Sequence, residues 1–437
     1  MRHDKLIYVS YQGPIVKIAP DWVVCSDPTE IRRILGVHSG WYRAPWYRDL
    51  RLVPTGDNVL NLTDNKAHHE LRSYLLPGYA GKGMDDEEQR IDDQILKLVD
   101  LIERKYVSSE EQVRPMDLAR ASKYLLEDVT SSVAFGEPFG YLEADNDLYG
   151  VIEISEALFG PVSIAALFPS VVAITSSPLM KPFLPKTTDM YGIGRLLGIV
   201  KSHVDARYGP YKVKKNDALQ AFVDSGLPRN NVEVESLIQL IGGSDSTATA
   251  VRNIIFYVST NKLAYKKLQD EIDEATKVVK SPILTDQEAR NLPYLQATIK
   301  EGLRMWPPIS GLAPHMSDHD ETVCGVRIPA KTNVAWGPAS ILKDKATFGQ
   351  DAAIFNPDRW IGVKPDHLKT MDAVYGMVFM SGTRWECLGK RSANIVLGKT
   401  IFEVCIPATI SSSSPAICRS IVDNVNLSRC SVAMTSP

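Results

Sequence analysis

The chain has 437 residues, 44% hydrophobic and 23% charged, proportions of a folded protein that exclude intrinsic disorder, collagen and a coiled coil as whole-chain readings. Length alone suggests about three domains, although large single-domain enzymes fall in the same range. Forty-nine basic against 52 acidic side chains give a net charge of -3, and no segment gathers Lys and Arg as a phosphate-tracking surface does, which argues against nucleic acid as a partner. From the N-terminus, Ile15–Ile18 and Trp22–Cys25 are β-prone runs separated by Ala19-Pro20-Asp21 and predict a hairpin. Asp27 then caps a helix with Pro28 at its first position. Helical periodicity dominates from 83 to 280, interrupted by Pro-, Gly- and Ser-rich loops near 135–142, 160–190 and 225–230. Thr285 and Glu288 make a capping box that predicts a helix running to Met305, where Pro307 and Pro308 stop it. Val323–Ile328 and Thr332–Trp336 are again β-prone. There are no internal repeats.

The most apolar stretch, Gly160–Ile174, is interrupted by Pro161, Ser163, Pro169 and Ser170. A spanning helix needs about 18 uninterrupted apolar residues, so this stretch predicts core or a surface-seeking patch. The segment up to Cys25 has no apolar run like that of a signal peptide. The six cysteines, at 25, 324, 387, 405, 418 and 430, form no Cys-x-x-Cys pair and suit a reducing compartment. After Phe402 no aromatic residue occurs, and residues 405–437 carry eight serines and three of the six cysteines. This tail is expected to be loosely ordered.

Three segments carry chemistry. Phe379 to Lys390 places Cys387 just ahead of a helical stretch, Arg391–Phe402. The positive end of the helix dipole and the nearby Arg384 both favour thiolate, which is a metal ligand. Gly382 and Gly389 on either side let the backbone approach a large planar cofactor; the alternative is a buried free cysteine. In Leu240–Ala248, inside a helix-like run from Val234 to Val258, Gly242 and Gly243 are adjacent. Mid-helix glycines cost about 1 kcal/mol each against alanine, which leads one to expect room beside a cofactor, or else a small-residue helix crossing. Asp245 followed by Ser246 in a distorted turn can relay protons. Glu301 and Arg304, three residues apart, share a helix face and can pair, as ordinary surface pairs also do. The eight histidines show no zinc-like spacing, and Gly192-Ile193-Gly194 lacks the third glycine of a nucleotide-binding turn.

Taken in their order along the chain, the three segments resemble the cytochrome P450 family of haem-thiolate monooxygenases, over residues 12–403. The Gly-Thr-Arg-Trp-Glu-Cys-Leu-Gly-Lys form looks like that of filamentous-fungal secondary-metabolism members of the pisatin-demethylase-like type. The family's loop reads Phe-x-x-Gly-x-Arg-x-Cys-x-Gly, whereas here both Trp385 and Glu386 stand between Arg384 and Cys387. Its helix reads Ala/Gly-Gly-x-Asp/Glu-Thr-Thr/Ser, with Ser246 here replacing the first threonine and Thr247 following. Its Glu-x-x-Arg pair is buried against the arginine of a Phe-x-Pro-x-Arg-Trp segment, here Arg359 in Phe355–Trp360.

The resemblance implies a mainly α single-domain fold with a smaller β-rich part around one haem, covering 12–403, with 404–437 as an atypical tail. It implies Cys387 as the metal ligand and Phe379, Gly382, Arg384 and Gly389 as cofactor-binding loop residues. Arg72 of His68–Arg72 and His315 would face the haem propionates, and Asp245, Ser246 and Thr247 would be catalytic. The cofactor would be heme b, the co-substrate O2, the substrate an apolar fungal secondary metabolite, and the electron donor a separate NADPH-cytochrome P450 reductase at the cytosolic face of the endoplasmic reticulum membrane. The N-terminal anchor of microsomal members is expected to be absent, which leaves open both membrane contact without a spanning helix and a cytoplasmic location. A haem-thiolate isomerase or dehydratase, and a truncated non-catalytic product, are the alternatives; the Asp245–Ser246 pair favours the oxygenase.

Cys387→Ser is expected to abolish the red-shifted absorption band of the reduced carbonyl complex, because only a thiolate donor gives it, while Cys324→Ser and Cys405→Ser keep it. Retention of the band in Cys387→Ser would remove this cysteine from the metal.

Overall fold

The computed structural model describes residues 13–51, 56–82, 84–109, 111–165, 185–279 and 281–405. They form two compact units: residues up to Trp41, Ile91–Ser122 and Ser246 onward in one, Tyr42–Arg90 and Lys123–Asp245 in the other. Helices predominate. The strands are β1 (Ile15–Ala19), β2 (Trp22–Cys25), β3 (Tyr42–Arg43), β4 (Ala313–Met316), β5 (Glu321–Val323), β6 (Val326–Ile328) and β7 (Asn333–Trp336). The tail from Ile406 onward, and the part of the Gly160–Ile174 stretch from Ala166 on, lie outside the described residues.

In the first unit β1 and β2 make the expected antiparallel hairpin, with Ile15 opposite Cys25. β2 runs parallel to β7, which pairs antiparallel with β4. β5 and β6 pair through Val323 and Val326, so the loop is Cys324-Gly325, with φ of 51° and 76°. Two positive φ values match the primed turn that suits strand twist; glycine adopts them freely, whereas Cys324 gives up about 1–2 kcal/mol. Asp27 caps the Pro28–Leu35 helix by accepting the N–H groups of Thr29 and Glu30. Trp41, Trp336, Phe348, Trp360 and Trp385 share one buried core.

The helix expected from Thr285 to Met305 is two helices. The capping box is present but closes only Asp286–Arg290. Pro293 has no N–H to donate and holds Leu292 extended, at φ −95° and ψ 100°, so a second helix, Pro293–Met305, starts there. The Glu271 carboxylate accepts the N–H groups of Tyr294 and Leu295 at 2.8 and 2.7 Å and takes the place of a cap. Further along, a Cβ added at Gly302 would stand 2.6 Å from the side chain of Ile254, which places two helices in near-backbone contact.

Glu301, beside that glycine, is fully buried. Its carboxylate accepts from Arg304 twice at 2.8 Å, from Asn356 N–H at 2.9 Å, from Trp360 Nε1 at 2.9 Å and from Arg359 Nε at 3.4 Å. Arg304 also donates to the carbonyls of Leu342 and Ala352 at 2.7 and 2.6 Å. Segment 342–360 is thereby pinned to the Pro293–Met305 helix.

The second unit contains the Asn65–Tyr79, Gly192–Asp205 and Ala218–Asp224 helices, and most of Leu118–Phe135. Asp128 is buried and accepts three successive N–H groups, of Gly140, Tyr141 and Leu142, at 2.7–3.0 Å. The Arg229–Thr260 helix carries the Gly242-Gly243 pair and is longer than the 234–258 run read from the sequence. The distorted turn expected at Asp245 is not there: the helix is α throughout. Glycines permit a distortion without requiring one, and Ser244 Oγ donates to Leu240 O at 2.8 Å within the regular helix. Among the described residues no helix is long and apolar enough to cross a membrane.

Glu301→Ala is expected to cost about 3–5 kcal/mol in urea unfolding, because the fully buried Arg304 guanidinium loses the carboxylate paired with it. A loss below about 1 kcal/mol would mean that the network carries little of the stability of the first unit.

Candidate active site

The cysteine loop is built from its backbone. A short turn at Gly376–Phe379 leads into Met380 (φ 51°) and Gly382 (φ 73°), both left-handed. The Cys387 N–H donates to Phe379 O at 2.8 Å and closes the base of the loop. Thr383 Oγ1 donates to Met380 O at 2.7 Å and accepts Trp385 N–H at 3.2 Å. Trp385 is 4% exposed and packs against buried His315 of β4, ring centroids 4.5 Å apart. Cys387 itself is exposed, while Cys25 and Cys405 are buried. The helix begins at Lys390 and runs to Cys405, and a Cβ added at Gly389 would meet no atom within 4 Å.

Arg384 is turned to the 37–41 segment, donating to the carbonyls of Val37, Ser39 (3.2 Å) and Trp41 (3.5 Å), and stacks over Trp385. It therefore braces the loop against the N-terminal part of the first unit. Glu386, the extra residue, accepts Gly382 N–H at 3.2 Å and pairs with Lys390 at 2.9 Å; Lys390 also donates to Ser381 Oγ at 2.8 Å.

Among the described residues no three His, Cys, Asp or Glu side chains converge on one point. A bare structural metal ion needs about four protein donors. Iron already held by four ring nitrogens needs only an axial one, and a single exposed sulfur ahead of a helix fits that requirement.

In the second unit Asp245 is exposed on its helix and forms an ion pair with Lys123. Lys123 also lies 3.6 Å from Glu127, one turn along the Leu118–Phe135 helix. Glu127 is buried, and burial pushes its carboxyl up to about 7 against the opposing pull of Lys123. A second carboxyl on the Arg229–Thr260 helix, Glu235, accepts Val59 N–H at 2.8 Å. Its other oxygen is buried without a partner, and burial raises it to about 8. Arg72 is half-buried and close enough to repel Arg43, which burial foremost lowers to about 10. Ser246 is half-buried and Thr247 buried.

Lys123, Glu127, Glu235 and the bonds of Glu386 carry no signal in the sequence: an i,i+4 Lys–Glu pair looks the same on a surface helix as on a buried one.

The cytochrome P450 family model matches residues 11–402. The chain is 35% identical over 396 residues to cytochrome P450 monooxygenase ABA1 of Pyricularia oryzae, covering 89% of this chain and 77% of that protein. It is 34% identical over 412 residues to cytochrome P450 monooxygenase aba1 of Botryotinia fuckeliana, covering 92% and 80%. Against cytochrome P450 monooxygenase abl1 of Leptosphaeria maculans it is 34% identical, covering 90% and 69%. The chain therefore belongs to the cytochrome P450 family. It has that family's mainly helical fold with a small sheet part, and the family implies a haem cofactor, O2, a small-molecule substrate and a redox partner.

Glu127 holds its proton more tightly folded than unfolded, so its contribution to stability is lost as pH rises from about 4.5 to about 7. Glu127→Gln is expected to gain melting temperature relative to wild type between about pH 5 and about pH 8. A difference independent of pH would mean that Glu127 titrates normally.

Proposed function

We propose that the chain inserts one oxygen atom from O2 into an apolar small molecule, a fungal secondary metabolite, with electrons from a separate NADPH-cytochrome P450 reductase. The observation that carries this is the exposed Cys387 thiol on a loop braced from both sides. Cys387 would hold a heme b, which would supply dioxygen activation there, a thiolate being the donor that favours O–O cleavage. Phe379, Gly382 and Gly389 shape the loop at the cofactor, Arg384 braces it, and Arg72 and His315 serve the propionates.

Asp245 and Ser246 would hold and pass the protons that the reduction of O2 consumes, and Thr247, next in the chain, is buried. The ion pair with Lys123 anchors the Asp245 carboxylate, so proton transfer there requires that pair to loosen. The retained acid and hydroxyl favour the oxygenase over a haem-thiolate isomerase. Location at the cytosolic face of the endoplasmic reticulum membrane follows from the family and from the membrane-bound reductase it would use.

With NADPH, reductase and an apolar substrate, the haem-loaded chain is expected to consume O2 in step with product. Asp245→Asn and Ser246→Ala keep the carbonyl band but lose about 10- to 1,000-fold in coupled turnover, with peroxide released instead. Turnover without reductase or O2 would make the chain an isomerase, and unchanged coupling in both variants would remove them from proton delivery.

A further inference from the structure

We propose that Glu386 is a positioning residue for Cys387, closing with Lys390 a charge-neutral clasp that holds the lengthened loop. This rests on the reading of Cys387 as the axial ligand. The loop has one residue more between Arg384 and Cys387 than the family pattern, yet Cys387 N–H still reaches Phe379 O at 2.8 Å. Ahead of Cys387, two left-handed residues, Met380 and Gly382, turn the chain. The Glu386 side chain spans that turn: one oxygen accepts Gly382 N–H at 3.2 Å, the other takes the Lys390 ammonium at 2.9 Å. Lys390 reaches on to Ser381 Oγ at 2.8 Å. One carboxylate and one ammonium thus tie the chain before the cysteine to the helix after it.

The charges explain why both residues are there. A cation at the first position of the Lys390–Cys405 helix opposes the helix dipole, and the carboxylate four residues earlier offsets it. The carboxylate is one residue from the sulfur and the ammonium three, so together they add no net charge beside the ligand. Local charge and the groups that orient a ligand set the potential of a bound metal. Both side chains are about one-third exposed, at 34% and 39%, where an ion pair adds little to stability. The clasp therefore acts on the placement of the sulfur and on potential, and the fold does not depend on it.

The test compares haem-loaded wild type with Glu386→Gln, Lys390→Met, the double variant and Cys387→Ser. It measures the half-life of the red-shifted carbonyl band on warming, the midpoint reduction potential and the melting temperature. Both single variants are expected to keep their melting temperature and to lose the band about three- to tenfold faster. Their potentials should shift in opposite directions, upward in Glu386→Gln, where a positive charge is left over, and downward in Lys390→Met. In the double variant the potential should return toward wild type while the band is still lost quickly. Wild-type half-lives and potentials in both single variants, with the band lost in Cys387→Ser, would overturn the clasp alone. A fall of many degrees in melting temperature would make the pair part of the fold and overturn its positioning role. Retention of the band in Cys387→Ser would overturn the axial reading and the clasp with it.

Discussion

A carboxylate with no exposed surface survives only if every lone pair is used, and Glu301 meets that condition with donors from four residues. Its partners lie on its own helix and on the segment from Asn356 to Trp360, so charge burial fixes where that segment runs. The chain continues into the Pro365–Tyr375 helix, which Lys300, the neighbour of Glu301, holds through Asp372 at 2.6 Å. Met371, Val374 and Met377 then join Trp360 and Trp385 in one core. The cysteine loop inherits its position from a helix more than eighty residues upstream.

The molecule accommodates buried carboxyls in two ways. Glu301 keeps two guanidiniums against it. Glu235 and Glu403 take one backbone N–H each, and burial raises them to about 8 and about 7. The second arrangement leaves groups whose charge changes near neutrality. Glu127 stands between the two, with a cation near it and a raised affinity for its proton.

Local chemistry was readable from the sequence wherever the determinant is local. The β1–β2 hairpin, the Asp27 cap and the Thr285–Glu288 box formed as their residues dictate. The Glu301–Arg304 pair is visible as spacing, but its burial depends on Trp360 and Asn356, more than fifty residues on. Periodicity carried the helix expectation past Asn291, although Pro293 was in view, because apolar spacing continues across the break. The reach of Lys123 to Asp245 spans 122 positions, and no pattern along the chain encodes it. The extra residue at Glu386 was visible as a departure, whereas its role depends on side-chain directions that only the folded loop supplies.

Gly302 gives the first unit a point of closure in sequence space. Beside Glu301, the Pro293–Met305 helix lies against Ile254 at a distance that only the hydrogen atom of a glycine allows. Any side chain at 302 would force a new spacing between the two helices and shift the carboxylate next to it. Neutral drift is therefore blocked here even toward alanine, the mildest change a helix ordinarily accepts. Related sequences would have to cross this position in pairs, with a smaller residue at 254 arriving before a larger one at 302.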